Sequence, residues 1–186
     1  MEYVEYFGYN SLVILSFFFI CLIVLILNYI TKGKSNKLLF SSCRGSVFNP
    51  FTYVRMFTHV LGHDGFNHFR NNFLYILLIG PMIEEKYGSY NLIVMILITA
   101  FVTALINIIM GNKRILGASG IAFMLILLSS LVNLESGKIP VTFILIFLFY
   151  IFGEIKDCVN NKRDKISHMS HLVGAICGFI YGFYVF

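Results

Sequence analysis

Charged residues divide this chain into long apolar blocks. Asp, Glu, Lys and Arg are absent from residues 6–31, 71–83, 87–112, 115–134, 139–153 and 166–186. A helix needs about 20 residues to cross the hydrocarbon of a bilayer, and four of these blocks reach that length unaided. The block 71–83 reaches it if its helix begins near Phe66 and takes in His68, Arg70, Asn71 and Asn72, and 139–153 reaches it with its flanking residues. Lipid admits only helices or closed barrels, and the blocks lack the ten-residue alternation of barrel strands. The pattern predicts an all-α polytopic membrane protein. One domain covers 1–186, a bundle of six transmembrane helices near 10–31, 66–86, 89–110, 118–134, 139–155 and 166–186.

The connections are unequal. Residues 154–165 read as an ordinary polar connector, but 32–65 is half apolar, with Leu38, Leu39, Phe40, Val47, Phe48, Phe51 and Tyr53. Such a loop is expected to lie in the membrane interface or to pack on the bundle. The N-terminal MEYVEYFGYN is acidic where a cleavable signal would be basic, so the first block is expected to remain as a span.

Composition supports the membrane reading. Hydrophobic residues make up 58% and charged residues 12%, against about 25% charged in a soluble domain. The net charge of +5 belongs to loops beside headgroups, and the chain lacks the polar area for a nucleic-acid surface. Of the Lys and Arg residues, all but Lys86 and Lys138 fall on or beside 32–65, 111–114 and 154–165, the connections that share one face. The positive-inside rule would make that face cytoplasmic. Cys21, Cys43, Cys158 and Cys177 show no C-x-x-C spacing, so no structural zinc is expected. Cys43 and Cys158 fall in loops on one face, and a disulfide between them would depend on geometry.

Polar residues inside spans point to function, and three places collect them. In RILGASGIAF, Gly117 and Gly120 flank Ser119 where a loop drops into a helix start. Free N–H groups and the helix dipole there suit an oxyanion, although an N-cap or a small-residue packing face would be written the same way. In the last block, Gly174, Gly178 and Gly182 form one stripe, and His171 lies on the same face. An imidazole pressed against a neighbouring helix can act as general base, or simply hydrogen-bond across the helices. In HVLGHDGFNHFRNN, His68 and Asn72 stand at i and i+4, both able to donate hydrogen bonds. His59 and His63 have the spacing of helical zinc ligands, but Val60 occupies the position where a zinc protease needs Glu. No metal is expected.

Together these segments resemble the rhomboid family of intramembrane serine proteases, over almost the whole chain. The resemblance rests on Gly117-Ala118-Ser119-Gly120, on His171 with Gly174 and Gly178, on His63, His68 and Asn72, and on Glu84 with Gly88 and Ser89. It implies Ser119 as nucleophile and His171 as general base and acid, without a third acid. His68, Asn72 and the Ser119 amide would hold the oxyanion, and Arg55 with Glu84 would help to hold the first loop. It implies no cofactor and no metal, and transmembrane protein segments as substrates. These would reach the site laterally from the bilayer, past the second and fifth helices and the Phe-rich run 143–152. It further implies a multi-pass protein of the plasma membrane with the active-site face outside, against the charge count. Phe123 stands where many relatives carry a stacking Tyr. Two other classes compete: a catalytically silent rhomboid-like protein that binds or escorts transmembrane helices, and a small transporter. A transporter would show paired broken helices and mid-membrane acids, whereas one break, at 111–119, is visible.

Overall fold

The computed structural model describes residue 9 and residues 11–110, 113–132, 141–146 and 165–184, with 148, 152, 155, 156 and 159 between them. Its described residues are helical apart from loops and one isolated bridge between Ser42 and Ile115. We number the helices α1 (Leu12–Ile30), α2 (Lys34–Leu38), α3 (Pro50–Thr58), α4 (Phe66–Tyr87), α5 (Ser89–Met110), α6 (Ser119–Leu131), α7 (Val141–Ile146) and α8 (Lys165–Tyr184). Helices α1 and α5 are long and apolar enough to cross a membrane, and α6 is a shorter apolar helix. Most of the expected fifth span, most of the connector 154–165, and Gly111, Asn112 and Cys158 lie outside the described residues.

The first loop is built, as its apolar content led us to expect. It contains α2, α3 and a single 3-10 turn at His59–Leu61. Asn49 caps α3 by accepting from the Phe51 N–H, and Pro50 follows at the first helical position, where its missing N–H costs nothing. Buried Thr52 and Met56 turn α3 toward the bundle, and Phe57 stacks on Phe101 of α5.

Helix α6 is the centre of the core. Ile121, Met124, Leu125 and Leu128 are fully buried, and they join Ile14, Phe73, Ile76 and Leu92 from α1, α4 and α5. Its most extensive partner is α8. A Cβ on Gly174 would lie 2.0 Å from the Gly120 carbonyl oxygen, and one on Gly178 would lie 2.3 Å from that of Met124. Glycine is therefore required at both positions for the two backbones to touch.

Helix α4 links the two ends of the bundle. Pro81 lies inside it and removes the N–H that would bond the Leu77 carbonyl; the Tyr9 hydroxyl donates to that carbonyl instead, at 3.0 Å. At the far end the Glu84 carboxylate accepts from the Val13 N–H at 3.1 Å and the Ile14 N–H at 3.3 Å, and from the Ser11 hydroxyl. It therefore caps α1 from another helix. Ser89 donates to the same carboxylate at 2.6 Å, which ties in the start of α5.

Candidate active site

At the Phe66 end of α4 a cavity of about 500 Å³ opens. Its lining includes His68 and Asn72 from α4, Gly117, Ser119 and Gly120 from the start of α6, and Ser170 and His171 from α8. Three segments far apart in sequence thus deliver the candidate residues to one space.

Ser119 is the first residue of α6, half-buried, and preceded by Ala118. The first intrahelical bond is Ala122 N–H to Ala118 carbonyl, at 2.9 Å, so the amides of Ser119 and Gly120 belong to the turn that lacks helical acceptors. Gly117 makes this approach possible. Its φ of +114° is a conformation side chains rarely adopt, and a Cβ there would lie 2.7 Å from the His68 ring and 3.5 Å from Asn72 Nδ2. Its N–H donates to the His59 carbonyl at 2.9 Å, which fastens the loop to the 3-10 turn.

His171 stacks flat on Phe123, with ring centroids 4.4 Å apart and planes 6° from parallel. Phe123 therefore stacks on the histidine without a hydroxyl to offer it. Gly120 touches Gly174, and His171 lies three residues before that contact, which brings the imidazole to the level of α6's first turn. His168 meets His171 edge-on at 6.2 Å.

The α4 side is held by a hydrogen-bond chain. Asn72 Nδ2 lies 3.1 Å from His63 Nε2, and His63 Nδ1 lies 3.2 Å from the Leu61 carbonyl. The carbonyl only accepts, so Nδ1 carries the proton and Nε2 accepts from Asn72. Burial, with His68 nearby, pushes His63 down to about 4 and keeps it neutral at pH 7. One Asn72 proton is thereby fixed on His63, and the other is left for the cavity side. His63 itself is buried at 0% exposure, its carbonyl accepting from Asn36 at 2.9 Å. Burial also pushes His59 down to about 4, and its Nδ1 faces the Met56 carbonyl at 3.2 Å. His59 ends up in the 3-10 turn and His63 in the loop beyond it, so they do not share a helix as zinc ligands at that spacing would.

Two expected supporting residues part company. Glu84 sits at the other end of α4, where it caps α1. Arg55 lies in α3, its Nε donating to the Phe51 carbonyl at 3.1 Å and its guanidinium close to Gly45. Among the described residues Glu84 bonds to the starts of α1 and α5 and Arg55 bonds within α3, with no contact between the two. Sequence reading missed several residues around the cavity. Asn36, the His59 carbonyl, and Arg114, which donates to Lys37 O and Ser41 Oγ at 2.9 and 3.0 Å, act through long-range contacts that no local pattern announces. Thr103 of α5 lines the cavity floor, its buried hydroxyl without a hydrogen-bond partner among the described residues. A polar residue inside an apolar block was its available signal.

The Rhomboid domain profile matches residues 50–186. Rhomboid-like protein 11, chloroplastic, of Arabidopsis thaliana is 22% identical over 142 residues, covering 69% of this chain and 51% of its own. Rhomboid-related protein 1 of Caenorhabditis elegans is 25% identical over 140 residues, covering 70% and 39%. The chain spans about half the length of the first of these relatives and less of the second.

Proposed function

Given that the chain belongs to the rhomboid family, whose members are generally intramembrane serine proteases, we propose that it is a serine endopeptidase cleaving transmembrane segments of other proteins by a Ser119–His171 dyad, as a six-span bundle in the plasma membrane. One observation carries this reading: Ser119, His171, His68 and Asn72 line one cavity, with Ser119 opening a helix whose Gly120 touches Gly174 of the histidine's helix.

In this mechanism His171 takes the Ser119 hydroxyl proton as the oxygen attacks the scissile carbonyl carbon. The oxyanion accepts hydrogen bonds from His68, from the Asn72 proton not used by His63, and from the Ser119 amide. His171 then gives its proton to the leaving amine, and water hydrolyses the acyl-enzyme by the same exchange in reverse. Neither metal nor cofactor takes part. A helical substrate must unwind to offer a peptide bond, which favours helix-weakening residues near the cut.

A fluorophosphonate probe on the detergent-purified protein, with cleavage of a reporter transmembrane substrate, tests the reading. Labelling and cleavage are expected in the wild type and absent from Ser119→Ala and His171→Ala. A folded wild type that neither labels nor cleaves would replace the protease with the silent, helix-binding alternative.

A further inference from the structure

A second cavity lies on the outer flank of α1 and α4, away from the active site. It measures about 440 Å³, within the ~300–1,000 Å³ typical of small-molecule sites. Phe18, Phe66, Phe69, Phe73 and Leu77 line it, with Leu74 and Leu78, and Arg70 is its one polar lining residue. Its outer wall is open: Phe66, Leu74 and Leu78 are all exposed. The phenyl rings of Phe18, Phe69 and Phe73 pack on one another at 4.6–5.4 Å, making a firm inner wall.

We infer that this groove holds one acyl chain of an anionic phospholipid, with the lipid phosphate on the Arg70 guanidinium. The inference rests on the reading that α4 spans the bilayer. Length is the first argument. Arg70 and Leu78 are eight residues apart on α4, about 12 Å at 1.5 Å per residue. One leaflet of a ~30 Å hydrocarbon core is about 15 Å deep. The groove thus runs from an interfacial cation nearly to the bilayer midplane, the span of one acyl chain. Charge is the second argument. Arg70 is exposed and makes one hydrogen bond among the described residues, a long one of 3.4 Å to Asn71 Oδ1. A guanidinium has five donors in a fork that matches phosphate, so most remain for a headgroup. A phosphate at the mouth of an otherwise apolar slot places each part of a phospholipid against matching chemistry.

The chain contains no Trp, so Phe66→Trp at the groove mouth creates a single fluorescent reporter. In vesicles, brominated phosphatidylglycerol and brominated phosphatidylcholine would compete for it. Quenching is expected to favour phosphatidylglycerol about fivefold, the preference that one interfacial Arg confers. Arg70→Gln in the same background should bring the ratio close to one, while Lys34→Gln, an exposed cation outside the groove, should leave it. No preference in the Phe66→Trp protein, or an equal loss with Lys34→Gln, would overturn the site. Native mass spectrometry covers the case of a misfolded reporter. Unmodified protein should retain more phosphatidylglycerol adducts than Arg70→Gln, and equal retention would also overturn the site. Lipid preference without fluorophosphonate labelling would break the protease reading and leave the groove standing; labelling without preference would do the reverse.

Discussion

Helix α4 carries a cluster of buried polar groups at each end, and the two are put to opposite uses. At the Glu84 end the carboxylate is surrounded by donors: Ser11, Ser89 and the N–H groups of Val13 and Ile14. It is covered and spent, and it joins the starts of α1 and α5. At the Phe66 end, Asn72 and His68 are only partly committed. His63 holds one Asn72 proton, and both residues border about 500 Å³ of space shared with Ser119 and His171. Both ends bury polar groups, which costs stability unless each is hydrogen-bonded, and the Glu84 carboxylate demands the most partners. What separates a staple from a reactive site is whether donors are left over and whether there is room beside them.

Replacing the nucleophile tests that contrast most severely. Ser119→Ala is expected to lower labelling and cleavage by at least ~10³-fold with the melting temperature nearly unchanged; residual activity above a tenth of wild type would contradict the dyad. Asn72→Ala should cost about 10²–10³-fold in kcat with little change in KM, the signature of a donor used in the transition state. A raised KM with kcat unchanged would instead make Asn72 a substrate-binding residue. Gly174→Ala drives a methyl into the Gly120 carbonyl and should separate α6 from α8. Overpacking costs about 1–3 kcal/mol, and a shift of ~1 Å between Ser119 and His171 lowers the rate about 10²-fold. Wild-type labelling rates in that variant would mean the glycine contact does not set the dyad.

The Glu84 end should respond in stability and not in chemistry. Glu84→Ala strands its donors and is expected to remove about 2–3 kcal/mol, read as a lower denaturation midpoint, with the labelling rate per folded molecule preserved. A kcat loss at unchanged stability would erase the distinction between the two ends. The last test concerns pH. His59 and His63 are held near 4 when folded and return to about 6.5 when unfolded. Between those values the unfolded chain binds protons that the folded chain refuses, so their stability contribution is full above pH 6.5 and lost as pH falls toward 4. The melting temperature should drop across that window. The drop should be shallower in His59→Gln, and an identical slope would show that His59 does not titrate on unfolding.

Much of this was legible in one dimension. The ends of α4 and α5, at Phe66–Tyr87 and Ser89–Met110, follow the expected 66–86 and 89–110 closely, because charged and glycine residues stop an apolar helix locally. The Ser119 helix start and the Gly174–Gly178 stripe were readable for the same reason: backbone freedom and helical period are properties of neighbours in sequence. Glu84 shows where that reading stopped. Its motif was visible, yet its partners were expected in the first loop and belong to α1 and α5. The Ser42–Ile115 bridge and the Asn36 bond to the His63 carbonyl had no local signal at all.

The sequence by itself thus determined that the blocks of α1, α4, α5, α6 and α8 are helical, where glycine must stand and which side chains are chemically able to act, since these follow from charge, period and covalent shape. The tertiary structure alone decided which distant groups meet: Glu84 with the start of α1, His63 with Asn72, and the Phe123 ring with His171. Those pairings depend on the angle and depth at which helices pack, and packing is settled by the whole core at once.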